Sequence, residues 1–145
     1  MLTVDQILNQ KGRQVFSISP EASVLDALRL MSDREVGALI VLNGDKLAGL
    51  ISERDYARKV ILAGRSSKDT LVDTIMTREV ITVTPDTDVN ACMSLMTSHK
   101  IRHLPVMKGV DVVGMLSIGD IVKAIIADQA HTIEQLEHYI SGVPA

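Results

Sequence analysis

Gly49-Leu50-Ile51-Ser52-Glu53-Arg54-Asp55 is spelled again as Gly114-Met115-Leu116-Ser117-Ile118-Gly119-Asp120. Each copy closes an apolar, β-branched run and opens one of helical periodicity, which predicts a strand-to-helix turn. The glycine lets another group approach the backbone. The serine stands where the helix begins, with the aspartate one turn in. The free N–H groups and positive dipole of such a helix end suit an anionic ligand. The same letters fit a second chemistry, because Ser-x-x-Asp is close to a capping box that serves only the first turn's orphan N–H groups. Ser23-Val24-Leu25-Asp26 has that spacing as well, and nothing beside it invites a ligand. The preceding glycine and the recurrence in one register set Asp55 and Asp120 apart.

The recurrence extends outward from this motif. Val24 matches Val89, Leu39 matches Leu104, Val41 matches Val106 and Gly44 matches Gly109, all at the offset that carries Gly49 onto Gly114. Earlier, Val72-Asp73-Thr74-Ile75-Met76 echoes Val4-Asp5-Gln6-Ile7-Leu8, and Val80 to Pro85 echoes Val15 to Pro20. This is an internal duplication, with too few copies and too long a period for a solenoid. In the first copy, Val15-Phe16-Ser17-Ile18 predicts a strand stopped by Pro20. Ser23 caps a helix with Val24, Ala27, Leu28 and Met31 on one face, closed by Arg34-Glu35. Ala38 to Leu42 predicts a buried strand, Asn43-Gly44 a hairpin turn and Lys46 to Ile51 the return strand. A helix carrying Tyr56, Val60 and Ile61 follows. Asn9 to Gln14 and Ala63 to Asp69 are polar and predict loops. The last helix runs past Val122 with Ile125, Ile126, Ile133, Leu136 and Ile140, until Gly142 and Pro144 end it.

The fold class expected is α+β. Two β-α-β-β-α repeats, each too small to hold a core alone, pack about a pseudo-two-fold axis into one module. Residues 1–66 form the first repeat with a lead-in helix, 67–128 the second, and 129–145 a helical extension.

Composition narrows the function. The chain has 145 residues, of which 46% are hydrophobic and only 2% aromatic, so the core is aliphatic and methionine-rich. A net charge of −3 with so few aromatics argues against nucleic-acid binding and base-stacking platforms. Cys92 is the single cysteine, which excludes an internal disulfide and a thiolate zinc cluster and fits a reducing compartment. No apolar run approaches the ~20 residues that span a bilayer, and the N-terminus lacks a signal pattern. A cytoplasmic protein is expected.

The arrangement resembles a tandem CBS-domain protein, the repeat named after cystathionine beta-synthase. The resemblance rests on the paired Gly-x-x-Ser-x-x-Asp, on Arg102-His103-Leu104-Pro105-Val106 and on Val72-Asp73-Thr74-Ile75-Met76-Thr77. It implies a flat module with two clefts that bind adenine nucleotides (AMP, ADP or ATP), and in some members NAD or S-adenosylmethionine, as regulatory ligands. Carried over, it assigns Asp55 and Asp120 to ribose hydroxyls, which a carboxylate accepts from in pairs. It sets Ser52 and Ser117 near the ribose or phosphate and Ser17 and Thr82 along the clefts. Val36 to Leu39, including Gly37 and Ala38, and Ile101 to Pro105 would sandwich the base. A homodimer acting on a separate protein target is implied, with no catalysis.

The copies differ where a phosphate would lie. Arg102 and His103 stand where copy one has Gly37 and Ala38, whereas Arg54, Arg58 and Lys59 have Gly119 and Lys123 near their positions in copy two. Unlike ligands, or phosphate contacts shared across the axis, both follow from this. Elsewhere, His131, Glu134, Glu137 and His138 read as a solvated helix face rather than a metal site. Cys92 lies on an apolar face with Val89 and Met96 and reads as core. A ligand-free dimeric module acting through the C-terminal helix is the alternative function.

Overall fold

Thr3 starts the first helix, α1 (Val4–Lys11), by a reciprocal box in which its N–H donates to Gln6 Oε1 at 2.8 Å. The structure, a computed structural model, describes residues 2–141, so the expected helix end at Gly142 and Pro144 lies outside the described residues. α1 does not stop at Leu8. Asn9, Gln10 and Lys11, expected in a loop, form its polar last turn, and the break comes at Gly12 with φ +102°. Glycine alone adopts that φ without strain.

The first strand, β1 (Ser17–Ile18), is shorter than the expected Val15–Ile18. Ser23 Oγ accepts from the Asp26 N–H to start α2 (Val24–Arg34), which buries Val24, Ala27 and Met31. The hairpin β2 (Ala38–Asn43) and β3 (Lys46–Ser52) turns on Gly44 and Asp45, one residue later than expected. β1 runs parallel to β2, and β2 antiparallel to β3. A short α3 (Glu53–Tyr56) passes into a π-helical turn, Ala57–Ile61, in which Val60 is buried and Ile61 faces out.

The second half repeats this with α4 (Val72–Ile75), α5 (Val89–His99), β4 (His103–Lys108), β5 (Asp111–Ser117) and α6 (Ile118–Ser141). Where Val80 to Pro85 echoes the first repeat's strand segment, the pairing shrinks to one parallel bridge, Val83 to Val106. Both hairpins share a register shift at equivalent places, between Val41 and Leu42 and between Val106 and Met107. The fold is α+β with internal pseudo-symmetry, as expected.

The lead-in helices exchange. Val4, Ile7 and Leu8 of α1 are buried among Val89, Cys92, Met96, Leu104 and Leu116 of the second repeat. Val72, Ile75 and Met76 are buried among Val24, Met31, Leu39 and Ile51 of the first. Matching backbone bonds fix the exchange: the Val4 N–H donates to Thr87 O at 2.9 Å, and the Val72 N–H to Ala22 O at 2.9 Å. Gly49 and Gly114 make room for it. A Cβ at Gly114 would lie 2.9 Å from both Leu8 methyls, and one at Gly49 would lie 2.7 Å from Met76 Sδ and from Thr77 O.

These two contacts differ in what can yield. Leu8 is a side chain able to shift, whereas Thr77 O is backbone that accepts from the Leu50 N–H at 3.0 Å. Gly49→Ala is therefore expected to destabilise by about 2–3 kcal/mol and Gly114→Ala by about 1–2 kcal/mol. Urea unfolding of both variants checks the order, and equal losses would contradict it.

Candidate functional site

Both Ser-x-x-Asp motifs close as capping boxes. Ser52 Oγ accepts from the Asp55 N–H at 3.2 Å, while Asp55 Oδ2 accepts from the Ser52 N–H at 3.0 Å and from its hydroxyl at 3.1 Å. In the second repeat, Ser117 Oγ accepts from the Asp120 N–H at 3.1 Å and Asp120 Oδ2 from the Ser117 N–H at 2.8 Å. The glycines ahead of the motifs face Met76 and Leu8. Their smallness answers to the exchanged lead-ins, so the glycines do not set these motifs apart from plain caps.

Each carboxylate also holds a lysine. Lys59 Nζ lies 3.1 Å from Asp55 Oδ1 and donates to Ile75 O at 2.8 Å. Lys11 Nζ donates to Asp120 Oδ2 at 2.7 Å and to Met115 O at 2.7 Å. Asp55 thus has both oxygens engaged, whereas both of Asp120's partners converge on Oδ2. Sequence reading named Lys59 only as a cation near a phosphate, and missed Lys11 and both pairings. The Asp55–Lys59 spacing is a one-turn helix pair and was legible locally. The Lys11–Asp120 pair joins opposite ends of the chain and has no local signal.

Two clefts flank the pseudo-two-fold axis, and each mixes the repeats. The first, of about 480 Å³, brings Ser117 and Asp120 against Phe16, Val36, Gly37 and Ala38, with Lys11 and Arg13 at its edge. Its aromatic wall is braced by Arg34, whose guanidinium stands 5.3 Å from the Phe16 ring centre. The second, of about 1000 Å³, brings Ser52, Arg54 and Asp55 against Ile101, Arg102 and His103. Arg58, Lys59, His99 and Lys100 also line it, so the basic residues that differ between the copies gather on one side. Arg54 is held there by donating to Lys100 O at 2.8 Å.

Gly37 and His103 border both clefts. A Cβ at Gly37 would stand 3.5 Å from His103 Cε1, so the imidazole is the partition between them. Ser17 and Thr82 are exposed and Pro105 is buried in β4, and none of the three lines either cleft.

Electrostatics follow the geometry. Burial pushes the Asp120 carboxyl up, but the Lys11 ammonium and the Ser117 donors outweigh it and hold the group below its usual 3.8. Burial pushes the His103 imidazole below its usual 6.5; Asp120 opposes this, and Lys11 and Arg102 add to it. This burial favours the neutral imidazole. Burial, with Asp88 nearby, pushes the Cys92 thiol up to about 11, and the residue sits fully buried in the second core. Among the described residues, no three His, Cys, Asp or Glu side chains converge as metal ligands.

The sequence model of the CBS domain matches residues 5–61 and 72–127. The chain belongs to the CBS-domain family. It is 43% identical over 149 residues to the mitochondrial CBS domain-containing protein CBSX3 of Arabidopsis thaliana, covering 97% of this chain and 72% of that one. A Burkholderia ambifaria structure, described as a signal-transduction protein with CBS domains, superposes with a TM-score of 0.86 at 50% identity. It covers 88% of this chain and 96% of that chain. The CBS domain pair of protein MJ0100, solved with 5-methylthioadenosine and S-adenosyl-L-methionine, has a TM-score of 0.78 at 25% identity, covering 88% and 98%. No described helix of this CBS pair is long and apolar enough to cross a membrane.

The Lys11 contact predicts a paired titration shift. Asp120's depressed pKa contributes stability that is present above 3.8 and is lost as pH falls through the depressed value. Lys11→Met removes the cation, so the Asp120 pKa should rise and this acid-range contribution shrink. The His103 pKa should rise too, since Lys11 holds it down. NMR titration of both side chains reads the two shifts, and an unmoved Asp120 would refute the assigned cause.

Proposed function

We propose that this CBS pair is a non-catalytic regulatory module that binds adenosine-containing ligands in its two clefts, as a cytoplasmic homodimer acting on a separate protein. AMP, ADP and ATP are the first candidates, with NAD and S-adenosylmethionine beside them. The observation that carries this reading is the construction of each cleft from one repeat's Ser-x-x-Asp and the other repeat's segment before its central strand. A carboxylate there meets a ribose diol while the apolar segment meets the base. The MJ0100 complex supports the ligand class.

The clefts divide the ligands by charge. Arg54 and Arg102 share the larger cleft, which makes it the site for di- and triphosphates, with Asp55, Ser52 and His103 around the nucleoside. The smaller cleft, with Asp120, Ser117, Gly37 and Ala38, takes a nucleoside or monophosphate. The second reading, a ligand-free interaction module, draws on the capping boxes, which close with no ligand.

A thermal-shift and calorimetry panel of these ligands separates the two. A ligand at a hundred times its dissociation constant should add about 2.7 kcal/mol of stability. Asp55→Asn and Asp120→Asn should each weaken binding by roughly ten- to a hundredfold in the affected cleft. Arg54→Ala and Arg102→Ala should weaken ATP and ADP far more than adenosine, and both at the same cleft. Two Asn variants that bind like the parent, or a panel without response and no nucleotide in native mass spectra, would leave the motifs as caps alone.

A further inference from the structure

α6 outruns the body it starts on. Ile121 is fully buried and Ala124 and Ile125 pack on the second core, but from Ile126 to Ile140 every side chain is exposed except His138, which is half-buried. A projecting helix of this length is marginal in water without a covered face. Its apolar residues follow a seven-residue repeat: Ile126, Ile133 and Ile140 occupy one core position, and Val122 and Leu136 the other, with the polar Gln129 between them. Ile126 is 60% exposed, Ile133 and Leu136 56%, and Ile140 83%. This seam lies about a quarter-turn round the helix from Ile121, so the protein's own body leaves it open.

We infer that this seam pairs with the same seam of a second copy, the two helices running antiparallel. It rests on the homodimer part of the proposed function and supplies its surface, independently of any ligand. Antiparallel pairing alternates the two core positions across the interface, which sets Ile126 on the partner's Leu136, Ile140 on the partner's Val122 and Ile133 on the partner's Gln129. In that register Lys123 meets the partner's Glu137, and symmetry makes the contact twice. Neither side chain has an ion pair among the described residues. On the other flank Ile125 meets the partner's Tyr139, which is 85% exposed. Parallel pairing loses these matches: Lys123 would face an isoleucine, Glu137 a threonine, and Gln129 its own copy. Across two copies the seam and Tyr139 supply on the order of 1000 Å², the threshold of a specific interface.

Sedimentation equilibrium of the full chain tests the surface. The parent should be a dimer and Ile133→Glu a monomer, its dissociation constant raised at least a hundredfold with the unfolding midpoint of the body unchanged. Lys123→Glu should weaken the dimer about tenfold, and adding Glu137→Lys should restore it. Disulfide trapping tests direction, with little background from buried Cys92. Ile126→Cys alone should not cross-link, whereas Ile126→Cys with Leu136→Cys should. A dimeric Ile133→Glu protein overturns the seam but leaves the homodimer standing, and a monomeric parent overturns both. A disulfide in the single variant, or none in the double, overturns the antiparallel register.

Discussion

Leu8 packed on Gly114, with Met76 packed on Gly49 as its counterpart, is the contact on which the rest of the molecule depends. Each repeat closes its core with a helix from the other's end of the sequence. Neither core is complete until both lead-ins have crossed, so the repeats fold as one cooperative unit rather than two. Burying Val4, Ile7 and Leu8 against residues from 83 to 121 also closes a long loop. Such non-local contacts raise the contact order, which slows folding.

The crossing also builds the clefts. Where α1 ends, Lys11 reaches Asp120 and Arg13 lines the smaller cleft. Where α4 ends, the chain turns extended, and the Thr77 N–H donates to Leu50 O at 2.9 Å beside the larger one. The two connections differ in shape because α1 carries a polar last turn that α4 lacks. The inequality of the clefts thus has two sources, the exchanged connections and the substitutions at Arg54 and Arg102. The substitutions gather Arg54, Arg58, Lys59 and Arg102 on one side of His103, while the α1 connection sets Lys11 and Arg13 on the other.

Much of this was legible because it is written locally. The helix caps at Ser23, Ser52 and Ser117 and the paired hairpins follow from spacing within a few residues. The duplication itself predicted the pseudo-two-fold arrangement. What could not be read was which repeat each lead-in serves, since Val4-Asp5-Gln6-Ile7-Leu8 has the same apolar pattern whichever core receives it. The glycines' neighbours stayed hidden for the same reason, because a close approach is visible in sequence but its occupant is not. The short β1 and the lone bridge at Val83 show tertiary context overriding β-propensity.

Capping and ligand binding are compatible roles for the same aspartate, and geometry shows how. A carboxylate has two oxygens with several acceptor directions, and the box at Asp120 uses Oδ2 alone. By fixing that oxygen, Ser117 and Lys11 hold the side chain in one rotamer and keep it charged. Oδ1 is thereby presented at a set position on the cleft wall with no further ordering cost. At Asp55 the second oxygen is already held by Lys59, 3.1 Å away, whose own side chain is 45% exposed. A diol arriving there must share or displace a solvated lysine, while a phosphate would welcome it. The two repeats therefore load one motif differently: at Asp120 the box and Lys11 share Oδ2 and leave Oδ1 open, whereas at Asp55 the box holds Oδ2 and Lys59 holds Oδ1.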